Sequence, residues 1–352
     1  MPIVQSRRHL LTNIALAGAT GFTGLGAAGF YGGRKSVAAE PPPEVTTIRF
    51  EKDSATCIAP QVFQELLHAE GVTDIRYVDL TEDHLRRADA ANSDALTDMI
   101  ARREVDFGRN FAPALIMGMN AGEPVMVLSG LHLGCFEVFG KKEIRSLGDL
   151  KGRAVGTYIY NSPDKPLLTI MLSLVGLHPN RDVRWVRDPS LRPMDLFVEG
   201  KIDAFLAAPP ELQEVRAKNI GHVIVSSIAD RPWSQYFCCM LATSTEFARK
   251  YPVATKRVLR ATLKATDLCV SEPERVARLL VEQGYSTRYD YALQALSEIR
   301  YDVWREYDAE DTLRFYGLRL QEAGLIRSSP QTLIAEHTDW RFLSELKREM
   351  KT

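Results

Sequence analysis

Six short stretches of the chain carry side chains able to hold or transform a small molecule, and most can be read in two ways. Ser54-Ala55-Thr56-Cys57 runs toward Pro60. Its hydroxyls and free backbone N–H groups suit an oxygen-rich anion, or else form an ordinary strand–helix connection with a capping hydroxyl. Arg109-Asn110-Phe111 offers a cation, an amide and an aromatic face, and the arginine would equally suit a surface ion pair. His132, closing Gly130-Leu131-His132, is either a ligand contact or a hydrogen-bonded structural histidine. Tyr158, Tyr160, Asn161 and Ser162 follow a strand-like run, and two tyrosines outside any apolar stripe are poorly explained as core filling. Glu211, after Ala208-Pro209-Pro210, would repel an anion and bind an amine or a ring N–H, unless it only lines the start of a helix. Trp233 and Tyr236 can stack on a flat ligand or pack against neighbours.

These groups favour binding over catalysis. There is no GxSxG, no HExxH and no metal-spaced histidine pair, and His84, His132, His178, His222 and His337 are scattered. Cys57, Cys135, Cys238, Cys239 and Cys269 form no CxxC and no zinc-like spacing. Their odd number and the apolar run FCCMLA point to buried free thiols, with neither metal nor cofactor expected. A sulfonate or nitrate needs converging cationic or N–H donors, and only Arg109 and two helix starts supply them. Phe111, Tyr158, Tyr160, Trp233 and Tyr236 lean instead toward an organic molecule with a flat or apolar body and an anionic or polar head.

The elements that must position these residues follow from periodicity. TTIRFEK alternates as a strand; Pro60 opens an amphipathic helix with Val62, Leu66 and Leu67 on one face, ending at Gly71. DIRYVDL is a second strand, Asp94 to Arg102 a helix, Glu104 to Gly108 a third strand and EPVMVLSGL a buried strand. The alternation of strand and helix predicts a parallel sheet with helices on its faces. It then restarts from Cys135: strands at 135–140, 153–158, in DVRWVRD, in KIDAFLA and in HVIVSSI are separated by helices, including one capped at Asn161-Ser162-Pro163. FCCMLATS resumes a strand, a long helix is expected from Glu246 to Val270, and the rest reads as helical. With 44 Lys and Arg against 45 Asp and Glu, net charge −1, no basic excess points to nucleic acid.

The N-terminal segment LAGATGFTGLG imitates a dinucleotide-binding turn, but the buried strand that should precede it is replaced by MPIVQSRRHLLTN. Ser6-Arg7-Arg8-His9-Leu10-Leu11 instead resembles a twin-arginine export signal. A Gly/Ala-rich apolar region follows from Ile14 to Phe30, and Val37-Ala38-Ala39 resembles a signal peptidase site. Residues 1–39 are therefore read as an address label handed to the twin-arginine export machinery, leaving roughly 310 residues of working protein.

Four segments in order resemble a known family. Ser146 to Gly156, SLGDLKGRAVG, resembles the SLxDLKGKxVG segment of ABC-transporter substrate-binding proteins of the nitrate, sulfonate and taurine type, which also include thiamin pyrimidine-precursor binders. Gly176-Leu177-His178-Pro179 with Asp182-Val183 resembles GLxPxDV, and Glu199 to Ala204 resembles xGxxDA. Thr245-Glu246-Phe247 with Tyr251-Pro252 resembles the return strand and helix. The resemblance spans roughly 45–285 and implies an α/β fold of the periplasmic binding protein type II, two α/β lobes joined by two crossing strands around a ligand cleft. It places the first lobe at 40–133 and 238–352, the second at 138–232, and crossings near Leu133–Phe136 and Trp233–Cys238. The family usually places ligand contacts at the Tyr158–Ser162 position. The implied function is a periplasmic, monomeric solute receptor that delivers its ligand to an ABC permease. An enzyme on the same fold, such as one of pyrimidine-precursor synthesis, and a ligand sensor for a membrane partner remain the alternatives.

Overall fold

The computed structural model describes residues 40–351 apart from 53, 54, 92, 159–161 and 163. The export-signal reading and the expectations for Ser54, Tyr160 and Asn161 fall outside the described residues. Among the described residues ten strands are formed: β1 Thr47–Lys52, β2 Asp74–Asp79, β3 Phe107–Phe111, β4 Val125–Leu133, β5 Glu137–Gly140, β6 Ala154–Gly156, β7 Arg184–Val186, β8 Ala204–Ala207, β9 His222–Ser226 and β10 Phe237–Ser244. They make two five-stranded sheets, ordered β2-β1-β3-β10-β4 and β7-β6-β8-β5-β9, inside one compact unit, Pro41–Thr352.

The sheets are mixed rather than purely parallel, and the exceptions are informative. β1 is parallel to β2 and β3, whereas β10 is antiparallel to both β3 and β4. In the second sheet β6 is parallel to β7 and β8, whereas β5 is antiparallel to both β8 and β9. β5 and β10 are the strands that arrive directly from the other sheet, through 134–136 and 227–236. Without a crossover helix to turn the chain back, each runs against its new neighbours. The two connections touch: Ser227 N–H donates to Phe136 O (2.8 Å), and the Ser227 hydroxyl receives Cys135 N–H (3.1 Å) and Phe136 N–H (2.8 Å). Gly134, at φ +36°, permits this approach, because a Cβ there would lie 2.1 Å from Ser227 O.

Alternation along the strands sends residues to two apolar layers in the first sheet. Ile48, Phe50, Phe107, Leu128 and Leu241 pack with Leu259, Leu263 and Phe342 on one face. Phe111, Val125, Val127 and Met240 pack with Leu115, Leu313 and Tyr316 on the other. Each such fully buried side chain contributes roughly 1.5–3 kcal/mol. Phe139, Phe197, Phe205 and Ile202 form a smaller core in the second sheet.

Three sequence expectations are corrected. β3 starts at Phe107 rather than Glu104, so Arg109, Asn110 and Phe111 lie in the strand and not after it. Pro60 sits inside a short 3-10 helix, Thr56–Gln61, and the α-helix, Gln64–Ala69, begins later. The long helix expected over 246–270 is two helices, Thr245–Lys250 and Pro252–Ser271, because Pro252 lacks the N–H to continue the first and suits the first turn of the second. The C-terminal segment is helical and adds to the first sheet: Leu133 N–H donates to Arg300 O, and Thr338 bridges Val127.

Candidate functional site

A cavity of about 590 Å³ lies where loops of the two sheets face one another. Its first wall carries Ala55 and Cys57 after β1, Arg109, Asn110 and Phe111 of β3, Cys239 of β10 and the 284–287 turn. Its second wall carries Tyr158 after β6, Ser162 and Asp164 at the next helix, Arg192, and Ala208 to Glu211 after β8. Cys135 and Phe136, in the first crossing, complete the lining between them. Strand ends make the site because each parallel strand delivers its loop to the same edge of its sheet.

The second wall is a network of acids. Tyr158 Oη donates to Glu211 Oε2 at 2.8 Å, and Tyr158 N–H donates to Asp164 Oδ2 at 3.1 Å. Arg192 Nη1 approaches Glu211 at 3.8 Å and Glu214 at 3.7 Å. Glu211 Oε1 is buried with no hydrogen-bond partner among the described residues. Burial pushes the Asp164 carboxyl up to about 6. It also raises Glu211, against the opposing effects of the Tyr158 hydroxyl and Arg192. Glu211 thus opens the helix Glu211–Ala217 and at the same time faces the cavity.

On the first wall, the Asn110 amide is turned away from any ligand. Its nitrogen donates to Asp94 Oδ1 (2.5 Å) and Thr97 Oγ1 (2.9 Å), and its oxygen accepts Phe111 N–H. Asn110 thereby ties β3 to the capped helix Ala95–Ala101. The Phe111 ring meets Phe136 edge to face at 5.0 Å.

Four of the expected contacts stand elsewhere. Thr56 is fully buried and does not line the cavity. His132 lies behind the wall, fully buried, with Nδ1 3.3 Å from Leu133 O. Trp233 and Tyr236 pack on the C-terminal helix Ala309–Glu322 instead, Tyr236 stacked on Phe315 with centroids 3.9 Å apart and planes at 7°. That helix offers a flat apolar partner, and so the aromatic pair is spent on packing. Cys57, Arg109, Asn110, Phe111, Tyr158, Ser162 and Glu211 do line the cavity.

The structure adds residues that sequence reasoning missed. Arg192 sits at a helix start in a loop nineteen residues before Glu211, and only the fold brings the two together. Tyr285, Ser286 and Thr287 enter from the turn between the helices Pro273–Glu282 and Tyr289–Glu298, within the stretch read from sequence only as helical. The thiols of Cys57, Cys135 and Cys239, which line the cavity, and the His132 ring behind them lie with donor atoms all within 4.8 Å of one another. Among the described residues all five cysteines are free and buried. Burial pushes the Cys135 and Cys238 thiols well up, whereas hydrogen bonds from Cys135, Cys238 and Cys57 hold Cys239 well below the usual thiol range.

Two sheets of matching order, exchanging one strand each around a lined cavity, define the two-lobed periplasmic binding protein fold. Within that class the chain belongs to the NMT1/THI5-like family, whose match covers residues 86–276. The fold is shared with the periplasmic nitrate-binding protein NrtA of Synechocystis PCC 6803, at TM-score 0.72 and 12% identity over 88% of this chain and 90% of that one. It is also shared with the alkanesulfonate-binding protein SsuA of Xanthomonas axonopodis pv. citri bound to MOPS, at TM-score 0.64 and 15% identity over 86% of this chain and all (100%) of that one. A sequence relative, a "putative thiamine biosynthesis protein" of Haemophilus influenzae, is 31% identical over 118 residues, 31% of this chain. The match spans about a third (35%) of that relative's length.

Proposed function

We propose that the protein is an extracytoplasmic solute receptor. It closes two lobes, 40–133 with 238–352 and 138–232, on a small organic molecule and delivers it to an ABC permease after export by the twin-arginine route. The observation that carries this reading is the cavity itself, opposing Arg109 and Phe111 on one sheet to Tyr158, Asp164 and Glu211 on the other. A ligand with a flat or apolar body would lie against Phe111, Phe136 and Tyr158. Its anionic or polar head would turn to Arg109, and an amine or ring N–H would meet Glu211 Oε1, which has no hydrogen-bond partner among the described residues. Nitrate alone fits this less well, since three carboxyl groups, Asp164, Glu211 and Glu214, share the lining with two arginines. Family membership and the nitrate- and sulfonate-binding neighbours of the fold support a solute-binding role.

A second reading, an enzyme acting on a pyrimidine precursor, is supported by the name of the Haemophilus relative and by the raised Asp164 carboxyl in the cleft. One experiment separates the two. The purified protein is screened by thermal shift against sulfonates, nitrate, taurine, pyrimidines and aromatic acids, and each hit is recovered and weighed by mass spectrometry. A ligand at 100 times its Kd adds about 2.7 kcal/mol. A stabilising compound recovered intact is the expected result; its conversion would establish the enzyme, and no shift across the panel would overturn the ligand class.

A further inference from the structure

The tetrad of Cys57, His132, Cys135 and Cys239 at the first wall is assembled by the sheet and not by sequence spacing. Cys239 stands directly opposite His132 in the antiparallel ladder of β10 and β4. Such partners have Cβ atoms about 4.5–5.5 Å apart on the same face. The ladder slips between Phe237 and Cys239, where two steps along β10 match one along β4, so that Cys238 is the extra residue of a bulge. Cys57 arrives from the 3-10 helix after β1, and Cys135 from the first crossing, three residues beyond His132. Three stretches distant in sequence, around residues 57, 132–135 and 239, therefore converge on one point.

We propose that Cys57, His132, Cys135 and Cys239 form a tetrahedral site for a zinc-class divalent ion at the base of the cleft. The donor set is that of a closed Cys₃His site. Zinc–sulfur bonds of about 2.3 Å in a tetrahedron set sulfurs about 3.8 Å apart, so donors already within 4.8 Å of one another need contract by no more than about 1 Å. The histidine is prepared for the role: Nδ1 faces Leu133 O, leaving Nε2 buried and without a hydrogen-bond partner among the described residues. A backbone carbonyl on the far nitrogen is the usual way a ligating imidazole is oriented. Tyr301, its ring 5.1 Å from His132, closes the back of the site.

Binding is balanced by proton release: one divalent ion takes three thiolates and neutral His132 as ligands, and each cysteine still protonated gives up its proton as its metal–thiolate bond forms. The resulting complex carries one net negative charge, and Arg109, whose charge acts on Cys57, stands beside it. Three of the four ligands also line the cavity, so the ion would fix the first crossing, β4 and β10 to the end of β1 directly beneath the ligand. The competing use of these thiols is a disulfide between Cys135 and Cys238, whose sulfurs lie 2.9 Å apart.

The test uses the full chain, purified under reducing conditions, freed of metal with a chelator and titrated with Co²⁺ as the probe. The expected result is thiolate-to-cobalt charge transfer with tetrahedral visible bands, saturating at one ion per chain and displaced by one equivalent of Zn²⁺. X-ray absorption of the zinc form should show three sulfur neighbours and one nitrogen, a readout that needs no variant to fold. Cys239→Ala should lower occupancy at least tenfold, whereas Cys269→Ser, at a buried cysteine that is not among the four ligands, should leave it unchanged. No uptake, a four-sulfur shell recruiting Cys238, or loss of binding in Cys269→Ser would overturn the assignment. So would a wild-type mass lower by two hydrogens with the Cys135–Cys238 bond mapped in the metal-loaded protein. Ligand capture is not part of this readout, so its failure and that of the receptor reading are separable.

Discussion

The two walls of the cleft are built on the same strand order yet differ in chemistry. The first wall stands on long strands, nine residues in β4 and eight in β10, all buried, and presents thiols, an aromatic ring and Arg109. The second stands on short strands of three and four residues and presents Tyr158, Asp164, Arg192 and Glu211, with Tyr158 still 36% exposed. A rigid, mostly apolar surface thus faces a polar, titratable one. On the proposed receptor reading, the first would set shape and the second hydrogen-bond selectivity. The walls are tied where their crossings touch and by Arg216, which joins Glu137 of β5 to Glu298 of the C-terminal helix Tyr289–Glu298.

Substitutions can break this comparison in order of expected effect. Gly134→Ala should be the most damaging, because its Cβ would overlap Ser227 O in a left-handed conformation. A loss of about 3–5 kcal/mol is expected from strain and overpacking combined, read from urea melts. A loss below about 1 kcal/mol would mean the two crossings are free to part.

The titratable character of the second wall is tested next by pH. Folding raises the Asp164 carboxyl from 3.8 to about 6, so the native state holds this proton more tightly than the unfolded chain. Stability from this group is therefore full below the lower value and falls as pH climbs through the window to about 6. Asp164→Asn removes that dependence. Relative to wild type, the variant should gain roughly 2 kcal/mol between pH 4 and 7. A constant difference across this range would place Asp164 in contact with water.

Smaller effects sharpen the assignment of roles. Tyr158→Phe frees Glu211 of its hydroxyl partner, and the affinity for a ligand found by screening should fall about tenfold, the value of one hydrogen bond near a charge. Glu298→Gln weakens a partly exposed ion pair and should cost less than about 1 kcal/mol of stability. Its measurable effect would be faster ligand release, seen by stopped-flow, if the pair helps hold the lobes together.

Most of this architecture is legible in the chain, and what is not has physical causes. Strands β1, β2 and β10 are visible in TIRFEK, DIRYVD and FCCMLATS, where apolar runs and alternation survive. β3 was displaced because Gly108 reads as a stop. It is instead a strand residue made small by close neighbours, since a Cβ would approach Glu51 Oε2 and Leu96 at 3.0 Å. The mixed sheet direction is invisible because periodicity records which face is buried and not which way a strand enters. At the site, Tyr158 and Glu211 stand out as polar groups after strands, and spacing alone carries that far. Arg192, the 284–287 turn and the Cys₃His tetrad depend on contacts between segments remote in sequence, and Trp233 and Tyr236 were spent on Phe315, whose position no local pattern encodes.

The most direct test of the central claim is a crystal structure of the protein with the best stabilising compound. The account predicts the compound between Phe111 and Tyr158, its polar head on Arg109 and a donor on Glu211. A compound seated outside this cavity, or one that leaves both Arg109 and Glu211 without a contact, would contradict it.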